Sequence, residues 1–406
     1  MSPAYLETPH IFDAVIVGGG PAGATAAHDL ASAGRSVLLL DKSGRIKPCG
    51  GAIPPRLIED FDIPASLLVA RASHARMIAP SGRSVDMAVQ GGTVGMVDRE
   101  HFDEWLRERA AQAGAQRRDG FFTRFLRDED GVAVVEYEPK EGGAALRVRA
   151  RCVIGADGAR SRVAAQAIPG GGETRCVFAY HEIIRSPQPG ENGFDPDRCE
   201  IYYQGHLSPD FYAWIFPHGD TASVGVGSAR KGFSLRDAIR TLRKETGLEG
   251  AQLIRKEGAP IPLKPLKRWD NGRDVILAGD AAGCVAPASG EGIYYAMLGG
   301  REAASSVKEF LETNNARALA GTRKRYMKAH GRVFMILGIM QHFWYRSDKR
   351  REGFVAMCND RDVQRLTWDA YLNKRLSKPD HMAHLRIFLK DTAHLLGLSP
   401  SRPRES

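Results

Sequence analysis

Long apolar runs, paired cysteines and a recognisable leader are all missing from this sequence of 406 residues. No apolar run reaches the roughly 18 residues that a membrane-spanning helix needs. The six cysteines show neither C-x-x-C spacing nor the pattern of a secreted disulfide framework. The first eleven residues contain Glu7 and no apolar core, so they predict neither a signal peptide nor a transit peptide. These absences predict a protein of the reducing cytoplasm.

Metal-binding and nucleic-acid-binding signatures are missing as well. The sequence has no zinc or EF-hand spacing, no P-loop, no nucleophile elbow and no aspartate-rich segment that would hold a metal diphosphate. No RNP or zinc-finger pattern accompanies its basic residues. We therefore expect neither a metal cofactor nor a nucleic-acid partner.

Excess basic charge is confined to the C-terminal fifth of the chain, whose overall net charge is +9. Residues 321–406 contain 18 Lys and Arg against 8 Asp and Glu, a local net charge of +10, which leaves −1 for the preceding residues. The basic excess is therefore a local feature and not a property of the whole surface.

The strongest motif lies near the N-terminus. A β-branched apolar run over residues 12–17 breaks into Gly-x-Gly-x-x-Gly, formed by Gly18, Gly20 and Gly23, and an alanine-rich helical pattern follows. The second predicted strand ends at Asp41, where a carboxylate would accept a ribose 2′-hydroxyl. A strand, three glycines, a helix, a strand and an acid in this order predict an adenine-dinucleotide site at a helix N-terminus.

Two further predicted strands end in loops that combine glycine with aspartate. The first is followed by Asp157 and Gly158, and the second by Gly279 and Asp280. A loop over residues 287–292 and a helical pattern to about residue 311 come after the second. Because the carboxyl ends of parallel strands meet at one edge of a sheet, the three strand ends predict a single cleft.

A loop rich in glycine and proline over residues 42–54 contains Cys49, Gly50 and Gly51. Consecutive glycines leave room for backbone to lie against a flat ring. Cys49 is either a proton donor or a small buried residue. Arg99, near the start of an amphipathic helix predicted to end at about residue 113, either reaches a cofactor or is an ordinary surface arginine.

Aromatic residues alternate within a β-rich block over residues 174–270. By the period of two, Tyr212, Trp214 and Phe216 point to one face of a strand. They form either a packed core or an apolar wall for a long hydrophobic substrate. Periodicity does not separate these two interpretations.

The region from residue 322 onward has a helical pattern. An apolar stretch over residues 333–340 runs into aromatics at 342–345, with basic residues on both sides. This arrangement is typical of a helix lying in a membrane interface. The alternative is a docked helical tail with a solvated basic face.

Together these elements resemble a known family. The order of the glycine motif, Asp157–Gly158 and Gly279–Asp280 is similar to that of flavoproteins with the aromatic-hydroxylase-like FAD fold. Within that order, residues 47–54 (KPCGGAIP) and the pattern P-x-x-Y-x-W-x-F-P over residues 209–217 resemble the geranylgeranyl reductases, whose substrate cavity carries the second pattern. The resemblance covers nearly the whole chain, and the basic helical tail is similar to that of the reductases of bacteriochlorophyll and chlorophyll synthesis.

The resemblance implies FAD-dependent reduction of the three isolated double bonds of a geranylgeranyl chain to phytyl. The chain would be the free diphosphate or an ester of (bacterio)chlorophyll. NADPH is the implied co-substrate, with reduced ferredoxin as an alternative donor, and Cys49 or a flavin-bound water is the implied proton donor. A (bacterio)chlorophyll synthase is a candidate partner. The expected location is the cytoplasm, with peripheral attachment to the photosynthetic membrane through the basic helices.

The same resemblance implies three sets of site residues. The residues expected to bind FAD are Gly18, Gly20, Ala22, Gly23, Asp41, Lys42, Cys49, Gly50, Arg99, Asp157, Gly158, Gly279, Asp280, Gly290 and Gly292. The residues expected to line the flavin ring and act in catalysis are Cys49, Gly50 and Gly51. The residues expected to bind the substrate are Pro209, Tyr212, Trp214, Phe216 and Pro217.

The predicted fold class is α/β, with a Rossmann-like FAD domain of the aromatic-hydroxylase type, a β-sheet substrate domain and a helical tail. A chain of this length exceeds what one core usually serves. The FAD domain is expected over residues 10–72, 95–170 and 271–320, the substrate domain over 73–94 and 171–270, and the tail over 321–406. Two alternative functions remain at this point, an FAD-dependent aromatic monooxygenase and a digeranylgeranyl glycerolipid reductase.

Overall fold

The computed structural model describes residues 6–42, 44, 46–90 and 92–372, and in them the chain forms three sheets. The strands, in chain order, are β1 (Leu6–Val17), β2 (Val37–Asp41), β3 (Ala52–Ile53), β4 (Leu68–Ala72), β5 (His74–Ile78), β6 (Ser84–Ala88), β7 (Val94–Val97), β8 (Gln116–Arg127), β9 (Ala133–Pro139), β10 (Leu146–Gly155), β11 (Cys176–Arg185), β12 (Arg198–Tyr202), β13 (Ala213–His218), β14 (Thr221–Ser228), β15 (Leu253–Pro262) and β16 (Val275–Leu277).

Helices cover the sheets and form the C-terminal region of the described chain. In chain order they are α1 (Pro21–Ser32), α2 (Pro55–Asp60), α3 (Arg99–Gln112), α4 (Arg162–Ala167), α5 (Leu235–Glu245), α6 (Ile293–Thr313), α7 (Gly321–Trp344), α8 (Asp348–Met357) and α9 (Arg361–Leu372). The helices predicted to end near residues 113 and 311 are confirmed as α3 and α6.

The first sheet has a parallel core, in which β1 lies between β2 and β10, β8 extends the sheet beside β2, and β16 extends it beside β10. The antiparallel strand β9 connects the far halves of β8 and β10. The carboxyl ends of four parallel strands, at Val17, Asp41, Gly155 and Leu277, therefore lie along one edge. This arrangement confirms the predicted single cleft.

The end of β1, over residues 14–17, is buried on both faces, as is typical of a parallel sheet covered by helices. Ala14 and Ile16 face a core that contains residues of α1 and α6, whereas Val15 and Val17 face a second core on the opposite side. The continuous apolar run of this strand reflects that double burial.

The second sheet has seven strands in the order β15-β11-β14-β13-β12-β5-β6. Neighbouring strands are antiparallel except β12 and β5, which are parallel. The prediction for the aromatic strand was partly wrong, because β13 begins at Ala213 and Tyr212 precedes it.

The third sheet, in the order β3-β7-β4, fixes the end of the glycine-rich loop. The prediction of a loop over residues 42–54 was partly wrong, because β3 forms inside it. Strand β3 pairs with β7, and the Val97 amide donates to the Gly51 carbonyl at 2.9 Å. The domain division stays a prediction. The first sheet draws all its strands from the segments predicted for the FAD domain, apart from residues 6–9 of β1, and the second sheet draws all of its strands from those predicted for the substrate domain.

The predicted helical tail is present as α7, α8 and α9, and residues 373–406 of that prediction lie outside the described chain. Tyr326 and Phe334 of α7 are buried against Tyr295 of α6. Within the described ranges, no helix combines the length and the apolar character that crossing a bilayer requires.

Candidate cofactor and substrate site

The turn between β1 and α1 is so tight that only glycine fits at two of its positions. Gly18 has a φ of +107°, and a Cβ added there would lie 2.3 Å from the Ala156 carbonyl oxygen. A Cβ on Gly23 would lie 1.8 Å from the carbonyl oxygen of Gly18. The predicted turn and helix–strand contacts of the glycine motif are therefore present in the structure.

Gly20 differs from these two glycines because a Cβ on it would meet no protein atom within 4 Å. Gly20 is also the N-cap of α1, and no side chain caps that helix end. The positive end of the helix dipole and its amides therefore face open space. This geometry fits the pyrophosphate of a dinucleotide, with Ala22 in the first turn of the helix.

Asp41 lies at the end of β2 as expected, and an arginine that the sequence analysis missed lies beside it. Arg107 Nη1 is 3.3 Å from Asp41 Oδ2 and donates to the Gly19 carbonyl oxygen at 3.2 Å. The Arg107 side chain is only 12% exposed. A single arginine in a predicted helix gives no sequence signal for this role. The structure adds Arg107 to the residues that could hold the ribose and phosphates.

Arg99 is buried and lines a cavity between the loops of the first sheet and the second sheet. It forms two hydrogen bonds to Asp103, of 2.8 and 2.7 Å. Burial alone would lower the pKa of the Arg99 guanidinium, but Asp103 and Cys49 raise it above its ordinary value. Arg99 is therefore a paired internal cation, and its predicted contact with FAD stays a prediction.

The other two strand-end loops meet the glycine motif. Ala156 contacts Gly18, and a Cβ on Gly279 would lie 2.7 Å from Cβ of Ala22. The Asp157 carboxylate accepts hydrogen bonds from the Arg162 and Val163 amides, so it holds the start of α4.

Burial raises the pKa of the Asp157 carboxyl despite hydrogen bonds that lower it. Gly158 adopts a φ of +89°, and no protein atom lies within 4 Å of the position its Cβ would take.

Asp280 links the third loop to the segment that contains Cys49. Its carboxylate pairs with the ammonium of Lys47, and both residues line the cavity. Gly290 and Gly292, which precede α6, also line the cavity. The structure therefore brings Asp280, Gly290 and Gly292, which are expected to bind FAD, to one cavity. Lys42 follows β2 and is partly buried.

The loop with the consecutive glycines lies against the second sheet. A Cβ on Gly50 would lie 3.0 Å from Phe216, and a Cβ on Gly51 would lie 2.4 Å from Cε1 of His218. The sulfur of Cys49 accepts a hydrogen bond from the Gly51 amide at 3.4 Å. Cys49, Gly50 and Gly51 all line the cavity, so the backbone of this loop can lie against a flat ring.

The cavity has a volume of about 280 Å³ and lies between the loops of the first sheet and one face of the second. Tyr212, Trp214 and Phe216 line it, so the structure places the aromatic residues at a cavity wall. Pro209 and Pro217 are not lining residues in the described chain. The Pro209 carbonyl instead accepts a hydrogen bond from Arg351 at 2.6 Å.

Two groups of lining residues were absent from the sequence predictions. His181 reaches the cavity from β11, and three residues of α9, namely Thr367, Trp368 and Tyr371, also line it. Isolated residues of these types carry no motif, and only the packing of α9 brings its side chains to this wall. The cavity is thus bounded by cofactor loops, a sheet and a C-terminal helix.

The geometry defines a dinucleotide-binding oxidoreductase, and the sequence matches the FAD binding domain family over residues 12–329. The chain is therefore an FAD-dependent flavoprotein. It is 55% identical over 393 residues to the geranylgeranyl diphosphate reductase of Rhodobacter capsulatus, covering 96% of this chain and 98% of that one. It is 37% identical over 402 residues to the chloroplastic geranylgeranyl diphosphate reductase of Oryza sativa subsp. japonica, covering 94% and 85%. The chain belongs to the geranylgeranyl diphosphate reductase family.

A solved structure has the same fold. The geranylgeranyl bacteriochlorophyll reductase-like protein of Thermoplasma acidophilum is 23% identical and superposes with a TM-score of 0.79 over 92% of this chain and 99% of that one. The predicted family, the α/β flavoprotein fold and the FAD cofactor are confirmed. The roles of individual site residues stay predictions.

Proposed function

We propose that the cavity binds a geranylgeranyl chain and that NADPH supplies the electrons for its reduction to phytyl. The observation that carries this proposal is the position of the cavity, whose walls include both the cofactor loops and the aromatic face of the second sheet. Met77, Ile201 and Ile261 add aliphatic surface to the same wall. Burying an apolar chain there is favourable by about 25 cal/mol per Å² of surface removed from water.

The residues around the cofactor have separate tasks. The amides at the start of α1 and the Asp41–Arg107 pair would hold the ADP half of FAD, and Asp280 with the Gly290–Gly292 segment would contact its ribityl chain and ring edge. Reduced FAD, when bound, supplies a hydride to one alkene carbon. Because an isolated alkene accepts hydride poorly, a proton must reach its other carbon from a donor on the cavity wall.

Cys49 is the candidate for that proton donor. Its side chain lines the cavity beside Gly50 and interacts with Arg99. The rate of product formation by Cys49→Ser, measured without oxygen, tests the role. Full turnover by this variant would show that another group or water donates the proton. Loss of turnover with FAD still bound would support the thiol as the donor.

The head group of the substrate is either a diphosphate or a bacteriochlorophyll. The deciding experiment photoreduces the purified protein without oxygen and then adds geranylgeranyl diphosphate or geranylgeranyl-bacteriochlorophyll. Return of the oxidised flavin spectrum, with stepwise addition of hydrogens to one substrate, would support the proposal and identify the substrate. If the flavin stays reduced until air is admitted and the product gains oxygen, the protein is a monooxygenase instead.

The electron donor is tested separately. Anaerobic mixing of the oxidised protein with NADPH should bleach the flavin absorbance at a rate that exceeds turnover. A protein reduced only by ferredoxin would show no such bleaching. A digeranylgeranyl glycerolipid should serve as a poor substrate in the same assay, and preferential reduction of that lipid would overturn the assignment to phytyl formation.

Peripheral attachment to the photosynthetic membrane is the second part of the proposal. Two apolar residues one turn apart on α7, Met335 and Ile339, are 59% and 62% exposed. Arg332 precedes this pair and Arg346 follows the helix, and both are exposed. An exposed apolar strip flanked by bases fits the interface of an anionic leaflet, where each base contributes about 1 kcal/mol.

Flotation with vesicles tests the attachment. Wild-type protein should float with phosphatidylglycerol vesicles and poorly with phosphatidylcholine. Ile339→Glu should reduce flotation on the order of tenfold, because it removes apolar contact and adds a like charge. Ile254→Glu is the matched control, since Ile254 is also exposed, at 46%, but lies on β15. Equal flotation of both variants would reject α7 as the contact, and flotation only with membranes that contain a pigment synthase would identify that protein as the partner.

A further inference from the structure

A chain of hydrogen bonds holds the indole of Trp214 on the cavity wall. Trp214 Nε1–H donates to Ser223 Oγ at 3.1 Å, Ser223 Oγ lies 2.9 Å from His181 Nδ1, and His181 Nε2 lies 2.9 Å from Glu257 Oε2. We call these four residues the Trp214 chain. Trp214, Ser223 and His181 are all buried, and Trp214 and His181 line the cavity.

The strand register explains how these residues meet. Trp214 of β13 pairs with Gly225 of β14, Gly225 pairs with His181 of β11, and His181 pairs with Glu257 of β15. A Cβ on Gly225 would lie 2.0 Å from the Trp214 ring. The missing side chain therefore lets the indole lie across β14 and reach Ser223. One row of residues crosses four strands from an aromatic ring to a carboxylate.

The donors and acceptors of the chain have one consistent direction. An indole N–H can only donate and a carboxylate can only accept. Burial would raise the pKa of the Glu257 carboxyl, but interactions with His181 and Arg255 outweigh burial and lower that pKa. The ionised carboxylate therefore accepts from His181 Nε2–H. With the imidazole neutral, His181 Nδ1 accepts from the Ser223 hydroxyl, whose oxygen accepts from Trp214.

The outer end of the chain is itself anchored. Arg255 Nε lies 2.6 Å from Glu257 Oε1, and the Arg255 guanidinium lies 3.7 Å from Asp98, the N-cap of α3. At the inner end, Trp214 Nε1 lies 3.7 Å from the position that a Cβ on Gly50 would take. The Trp214 chain thus extends from Arg255, which is close to the start of α3, to the position beside Gly50.

We propose that Ser223 and His181 are positioning residues for prenyl reduction, because they fix the orientation of the Trp214 indole beside Gly50. This inference rests on the proposed binding of the prenyl chain in the cavity. An indole without its hydrogen bond keeps its apolar area, so affinity for the chain changes little. A mobile indole would, however, hold the alkene in several poses, and misplacement of a reacting group by about 1 Å can reduce the rate of the chemical step a hundredfold.

The test compares Ser223→Ala with Ser228→Ala, using geranylgeranyl diphosphate without oxygen. Ser228 is the matched control because it is a buried serine of the same strand whose hydroxyl bonds to Asp210 and not to Trp214. Ser223→Ala should lower kcat by about tenfold, leave KM within about twofold, and accumulate partially reduced chains. Ser228→Ala should keep the wild-type product pattern.

A second readout does not depend on activity. Subtracting the fluorescence of Trp214→Phe from that of wild type isolates the emission of Trp214. In Ser223→Ala that emission should become more accessible to acrylamide. His181→Leu should behave like Ser223→Ala, whereas His181→Gln should retain wild-type behaviour, because an amide can donate to Glu257 and accept from Ser223.

The outcomes separate this inference from the proposed function. Unchanged kcat, products and Trp214 emission in Ser223→Ala and His181→Leu would overturn the inference. If Trp214→Ala also leaves KM and products unchanged, the cavity is not the prenyl site and the proposed function fails. If Ser223→Ala does not fold, His181→Leu and His181→Gln are compared instead. Equal kcat, products and Trp214 emission in these two variants would overturn the inference.

Discussion

The imidazole of His218 donates from Nε2 to the Gly50 carbonyl oxygen across 3.0 Å, and this hydrogen bond joins the second sheet to the loop that contains Cys49. His218 is the last residue of β13, whose Trp214 and Phe216 line the cavity. The loop position therefore depends on the aromatic strand.

Burial lowers the pKa of His218 below its ordinary value of 6.5, although the Gly50 carbonyl raises it. Between the folded pKa and about 6.5, the unfolded chain therefore binds a proton at His218 that the folded protein does not, and the free energy of unfolding rises with pH in that range. The contribution of His218 is complete above about pH 6.5 and falls as the pH decreases toward the folded pKa. His218→Gln, which keeps a donor for Gly50, should show a shallower loss of Tm on acidification. Parallel Tm profiles for the two proteins would contradict this expectation.

Alanine at two glycines of the same motif should have opposite effects. Gly20→Ala places its Cβ in open space, so the stability of the FAD-free protein should change by less than about 0.5 kcal/mol, while FAD affinity falls on the order of tenfold or more. Gly18→Ala forces a Cβ against Ala156 at a positive φ and should destabilise the fold by more than about 2 kcal/mol. Denaturant unfolding and FAD titration separate these effects, and equal stability of the two variants would count against the structure of the turn.

Two arginines should also differ. Arg107→Leu removes the contact with Asp41 and Gly19, so FAD affinity should fall about tenfold with little change in the stability of the FAD-free protein. Arg99→Leu leaves the buried Asp103 carboxylate without its guanidinium, which should cost about 3–5 kcal/mol of folding free energy. If Arg99→Leu folds normally and loses only FAD, Arg99 is a cofactor ligand as the family resemblance implied.

The junction between α8 and the turn after β5 should weaken in acid. Partial burial would raise the pKa of Glu352, but hydrogen bonds from Arg83 and Ser81 outweigh it and lower that pKa below 4.5. The stabilisation is therefore present above about pH 4.5 and is lost as the pH falls through the lower folded pKa. Glu352→Gln should cost on the order of 1 kcal/mol near neutral pH and nothing at low pH. A difference in unfolding free energy that persists in acid would contradict the linkage.

Much of the cofactor site could be predicted from short segments, because local sterics restrict which residues fit them. Gly18 and Gly23 are read from the sequence since any side chain would collide with backbone at those turns. The loops at Asp157 and Asp280 follow from predicted strand ends, and the topology of a parallel sheet brings such ends together. The aromatic alternation left a packed core and a cavity wall both open, and the structure places Trp214 and Phe216 of β13 at the cavity wall, with Tyr212 just before the strand.

The remaining features depend on contacts that no local pattern records. Arg107 meets Asp41 across 66 positions of the chain, and His181 meets Glu257 across 76. The sequence by itself determined the dinucleotide motif, the family and the helices over residues 321–372. Only the tertiary structure decided which arginine lies beside Asp41, that α9 closes the cavity, and that Gly225 leaves room for Trp214. These features could not be predicted for a physical reason. Strand register and helix packing decide which residue becomes the partner of a single polar or small side chain, and neither is encoded in the few residues around it.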